Sequence, residues 1–206
     1  MEVFGRGTGV SSGATTTLSP LPSDLFIGQK VTLTATLRDK ASHDGIAGEE
    51  VMFMVDSQVV GTATTNAYGV AKLAWIVPES LTLGSHTLFA SFAGDLDHAR
   101  GDSEKFVTAQ PGPVILSMPD KSGTVGNNVT LVATLKNAAN QPLPGRTIEF
   151  RFDGALVGTG TTDGTGKATY TYSISVGAGP HEITAHFAGE TKHPEQTVTG
   201  TLTVNS

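Results

Sequence analysis

The chain repeats itself, and that repetition limits the folds open to it more than any other feature. Set "GQKVTLTATLRD", Gly28 to Asp39, above "GNNVTLVATLKN", Gly126 to Asn137, and the offset is 98, 126 less 28. "EEVMFMVDSQVVGTATTNAYGVAKLAW" then lies over "RTIEFRFDGALVGTGTTDGTGKATYTY" at 97, and His86 over His181 at 95. Small deletions between matched segments account for the drift, and surface loops tolerate such deletions. A fold that accommodates this chain must therefore be built twice from one unit of about 95 residues. The expected organisation is a Gly/Ser-rich lead over residues 1–13, a first domain over 14–110 and a second over 111–206. "AQPGPV", Ala109 to Val114, is the joint, restricted by two prolines around one glycine.

Within each copy the hydrophobic period is two. Val31, Leu33, Ala35 and Leu37 alternate with threonines; Val51, Phe53 and Val55 alternate with Met52 and Met54; Ala71, Leu73 and Trp75 alternate with Lys72 and Ala74. This is the pattern of half-buried strands, and no window carries a helical stripe. Asp153-Gly154 fits a two-residue hairpin turn, with Asp56-Ser57 at the matching place, and Asn66 to Gly69 and Asp163 to Gly166 make the next turn. Seven strands are expected in the first copy, at 14–19, 29–38, 49–56, 58–65, 69–77, 85–94 and 103–109. The fold class is all-β, two tandem immunoglobulin-like β-sandwiches of about seven strands each.

The combination "GxxVTLxATL", then a strand pair ending in "VGT", then "GxHxxxAxFAG" resembles the bacterial Ig-like repeats strung along surface and secreted proteins, with related modules on phage virions. The resemblance covers nearly all of residues 14–206. It implies a spacer, display or adhesive module at the bacterial cell surface, outside the cell or on a virion, and it carries over no catalytic residue.

Composition agrees. Lys and Arg number 13 against 19 Asp and Glu, without a basic cluster, so nucleic acid is not an expected partner. No stretch reaches the about 18 apolar residues of a membrane span. The opening "MEVFGRGTGV" lacks a basic segment followed by an apolar one, so a secreted protein would have to be present here as a mature or excised piece. Cysteine is absent, and neither a Gly-x-Ser-x-Gly elbow, a phosphate loop nor an HExxH helix occurs. The chain is therefore expected not to be an enzyme and to need no cofactor. The expected partners are proteins, another copy of this chain among them.

Several residues invite a sharper function. Arg100-Gly101-Asp102-Ser103 is the tetrapeptide that integrins grip in some matrix proteins, and the strand pattern places it on a loop before the last strand of the first copy. The second copy has no such motif, and short motifs match by chance, so integrin binding ranks below plain loop. Asp95, Asp97, His98 and Asp102 crowd the same loop, whereas a calcium ion takes about 6–8 oxygen ligands. Copy two offers only Glu190 and His193 there, and turn chemistry explains the cluster better than metal does. His86 and His181 share the parity of the core residues that follow them and are read as corner residues that hydrogen-bond the preceding turn. Trp75 and Tyr172 are read as core filling. In the lead, Val3, Phe4 and Val10 could pair with a sheet edge of a neighbouring copy and build a filament by strand addition.

Overall fold

The structure is a computed structural model that describes residues 12–18 and 23–206 of the chain. By backbone proximity it divides into two compact units. The first comprises Lys30–Trp75 and Thr82–Ala109 with the strands before them up to Leu25; the second comprises Gln110–Ser206 with the short segments Phe26–Gln29 and Ile76–Leu81.

The strands of the first copy are β1 (Ser12–Leu18), β2 (Asp24–Phe26), β3 (Lys30–Asp39), β4 (Glu50–Val55), β5 (Gln58–Thr64), β6 (Val70–Ile76), β7 (Gly84–Phe92), β8 (His98–Ala99) and β9 (Gly101–Gln110). They form two sheets, in the orders β6-β3-β1-β8 and β2-β9-β7-β4-β5. The second copy holds β10 (Val114–Ser117), β11 (Lys121–Thr124), β12 (Asn128–Asn137), β13 (Thr147–Phe152), β14 (Ala155–Thr161), β15 (Lys167–Ser173), β16 (Gly179–Phe187) and β17 (Gln196–Asn205). Its sheets run β10-β12-β15 and β11-β17-β16-β13-β14. Two sheets that each bury one face and expose the other give the expected tandem immunoglobulin-like sandwiches. Each of the seven expected strands of the first copy is present. The additions, β2 and β8, are three and two residues long, too short to carry a period.

The alternation in the sequence becomes the core. Leu33, Ala35, Leu37, Val51, Phe53, Leu88 and Ala90 are fully buried, and so are their counterparts Leu131, Ala133, Leu135, Ile148, Phe150, Ile183 and Ala185. Because side chains alternate across a strand, the residues between them face outward. Each hairpin carries a register irregularity at the same place, between Phe53 and Met54 and between Phe150 and Arg151. Near the second, a Cβ on Gly158 would fall 2.0 Å from the Tyr170 ring, so the ring packs where any larger residue at 158 would collide with it.

Tight turns join the strands. Asp56 and Ser57 have φ of 46° and 68°, Asp153 and Gly154 45° and 81°, the left-handed pair that matches a two-residue hairpin to the twist of its strands. In the next turn Asn66 Oδ1 accepts the N–H groups of Tyr68 and Val70, and Asp163 Oδ1 those of Thr165 and Lys167. One threonine per copy closes the strand entrance: Thr65 Oγ1 accepts the Glu49 N–H at 2.9 Å, and Thr162 Oγ1 the Arg146 N–H at 2.8 Å.

Candidate functional site

The tetrapeptide is not on a loop. Strand β9 begins at Gly101, two residues earlier than expected, so Gly101, Asp102 and Ser103 are strand residues paired with Phe92, Ser91 and Ala90. Gly101 is buried, and its carbonyl accepts a hydrogen bond from Thr16 Oγ1 of β1 at 2.8 Å. Residues two apart on an extended chain point to the same face. Arg100 Nε accordingly donates to Asp102 Oδ2 at 2.7 Å, while Ser91 Oγ donates to Asp102 Oδ1 at 2.6 Å. Both carboxylate oxygens are engaged within the unit, one of them by the arginine of the same motif. The sequence mistook this segment for a loop because glycine and aspartate are the usual residues of turns, whereas here cross-strand pairing with β7 decides.

The acidic cluster beside it is likewise divided. Asp95 Oδ1 accepts the N–H groups of Asp97 and His98, closing its own turn, and Asp95 Oδ2 faces His98 Nδ1 at 3.3 Å. These bonds, the His98 N–H foremost, hold the Asp95 carboxyl below its ordinary value. Asp102 is turned toward Ser91 and Arg100 instead. Among the described residues no three His, Asp or Glu side chains converge on a point a metal ion could fill. In the second copy Glu190 pairs with Arg146 at 2.8 Å beside a depression of ≈ 550 Å³, and His193 is buried with Nδ1 3.0 Å from the Gly112 carbonyl. Val3, Phe4 and Val10 lie outside the described residues.

The histidines at the start of β7 and β16 do hydrogen-bond the turn before them. His86 Nε2 is 2.8 Å from the Thr82 carbonyl, and His181 Nε2 is 3.0 Å from that of Gly177. Their second partner escaped the sequence reading. His86 Nδ1 bonds Asp56 Oδ2, and His181 Nδ1 bonds Asp153 Oδ2 at 2.8 Å, so each histidine ties its strand to the tip of the neighbouring hairpin. The other oxygen of each aspartate accepts a backbone N–H, from Thr87 and from Glu182. Asp56 and Asp153 were legible only as turn residues, because their partners lie 30 and 28 residues on, across a strand pairing that parity alone does not reveal. Tyr172 stacks on Phe152 with ring centroids 4.7 Å apart and packs against the core, and Trp75 is half-buried.

The histidine–aspartate staples, the Asn66 and Asp163 turns and the Thr65 and Thr162 bonds thus recur at matching positions in the two copies and are spent on turns and strand ends. The chain is similar to known proteins. The inverse autotransporter adhesin YeeJ of Escherichia coli (strain K12) is 28% identical over an alignment of 209 positions that covers 93% of this chain and 9% of that protein. The chain therefore spans a small fraction of the relative it matches. Among solved structures, the Yersinia pseudotuberculosis adhesin InvE is 17% identical over 91% of this chain and 58% of that one, with a TM-score of 0.38. The fibronectin(III)-like modules of Clostridium thermocellum CbhA are 17% identical over 93% and 94%, with a TM-score of 0.36. The model of the bacterial Ig-like domain (group 3) matches twice, over residues 8–110 and 116–205, and the chain belongs to that family as two consecutive domains.

Proposed function

We propose that this chain is a non-catalytic structural segment of a bacterial surface protein, two modules of a longer extracellular region that spaces or displays whatever adjoins it. One observation carries the reading: the polar groups most suited to chemistry, His86 with Asp56 and His181 with Asp153, occur in both copies in the same staple between a strand and a hairpin tip. A repeated use of that kind belongs to the fold. Support comes from the matched relative, which is itself named an adhesin and of which the aligned part is a small share. The Arg100–Asp102 pair and the burial of Gly101 favour a structural use of the tetrapeptide over an adhesive one.

The test is exposure on intact cells. Trypsin applied to bacteria that make the parent protein should remove an epitope within residues 23–206 while a cytoplasmic marker stays whole. An epitope that survives on intact cells and is lost only after lysis would overturn the surface assignment.

A further inference from the structure

The two copies agree in their cores and disagree on one face. In β4, β7 and β9 the outward residues of the first copy include Met52, Met54, Phe89 and Phe106. Register places them side by side: Met54 opposite Phe89, and Thr87, two residues before Phe89, opposite Phe106. The same four positions in the second copy are Glu149, Arg151, Thr184 and Thr201. There Arg151 pairs with Glu149 at 2.8 Å, where the first copy has the two methionines.

An outward sheet face in water has no folding reason to be apolar, and the second copy demonstrates that the fold accepts polar residues at all four places. Phe106 is nonetheless 71% exposed. Beside Met54 and Phe89 lies a depression of ≈ 480 Å³, whose other lining residues are Asp56, Ser57, Thr87 and Glu104. Aromatic and methionine side chains around a hollow are the composition of a contact surface, since they bury much area at little entropic cost. Of its two carboxylates, Asp56 is held by His86 and the Thr87 N–H while Glu104 faces the depression, and among the described residues no cation lines it. A second copy seated symmetrically on this face would bury Glu104 against the same face, which offers it no cation, and that is costly.

We infer that the outer face of the β9-β7-β4 sheet in the first unit binds a segment of another protein that presents apolar side chains next to lysine or arginine. The aromatic and methionine residues supply the buried area, and Glu104 selects a cationic flank.

The experiment uses the whole chain and two synthetic amphipathic peptides, one of leucine and lysine, one of leucine and glutamate. The key variant is Phe89→Thr with Phe106→Thr, each replacement being the residue the second copy already uses. It keeps the net charge, so attraction by overall charge alone would be unaltered. The leucine–lysine peptide is expected to bind the variant at least tenfold more weakly than the parent chain, and the leucine–glutamate peptide to bind the parent chain at least tenfold more weakly than its lysine counterpart. Should the threonine variant fold poorly, Met52→Glu with Met54→Arg removes the same surface at unchanged net charge, and the same tenfold loss is expected. Equal binding of the leucine–lysine peptide by a folded variant would overturn the inference. So would equal binding of both peptides, or a dimer in sedimentation that the variant abolishes, which would make a second copy the occupant.

Discussion

His86 and His181 each hold a hydrogen-bond acceptor against both ring nitrogens, a carboxylate oxygen at Nδ1 and a carbonyl oxygen at Nε2. Only the imidazolium can donate to both. For His86 burial opposes the charge, yet the bonds to Asp56 and to the Thr82 carbonyl, with the carboxylate's own charge, outweigh it and raise the ring above 6.5. In His181 the bond to Asp153 is the leading cause, and the direction is the same. Bonding to His86 and to His181 is the largest cause holding the two aspartates below 3.8. A raised imidazole contributes stability that is complete below its unfolded value and is lost as pH rises through the folded one; a lowered carboxylate contributes stability lost as pH falls through its folded value. The staples therefore act fully between those limits and weaken on both sides. Comparing thermal midpoints of the parent chain and an Asp56→Asn, Asp153→Asn variant, the gap should be widest near about pH 5–6 and should narrow above about pH 7. A gap that stays constant up to about pH 9 would show that the imidazole charge is not used.

At the scale of elements, the two hairpins are a matched experiment. Both turns need two left-handed residues, and the second position is Ser57 in one and Gly154 in the other. A serine there strains its Cβ against the backbone, while glycine does not but has more freedom to lose on folding. The balance favours glycine: Ser57→Gly should raise stability by about 0.5–1 kcal/mol, and Gly154→Ser should lower it by a similar amount. Denaturant titration reads both, and a destabilising Ser57→Gly would refute the assignment of strain. The long strands and these turns were legible in the sequence because a period of two and an Asp-Gly pair are local signals. The start of β9 was not, since Gly101 and Asp102 look like a turn until Ser91 and Phe92 are set beside them. The apolar outer face was written in the sequence too, in Met52 and Met54 against Glu149 and Arg151, but it acquires meaning only when register brings Phe89 and Phe106 alongside.

Over the whole molecule, one plan has been kept twice in its interior and varied on its surface. In the second copy the short strand β11 runs parallel to the last strand β17, with Lys121, Ser122, Gly123 and Thr124 against Leu202, Thr203, Val204 and Asn205. A tension transmitted along the polypeptide draws β11 toward its own beginning and β17 toward its own end, which in a parallel pair are opposite directions. The four rungs are then loaded together in shear. Gly179 and Val204, by contrast, are antiparallel partners at the open end of the β16-β17 pair, and a pull applied between them would peel the rungs one at a time. Force spectroscopy with attachment points at Val114 and Ser206 should give rupture forces well above those with attachment at Gly179 and Val204, and equal forces would rule the shear geometry out. A module wired in this way resists being drawn out lengthwise far better than it resists being picked apart from the side, which is the mechanical property demanded of a tether under flow.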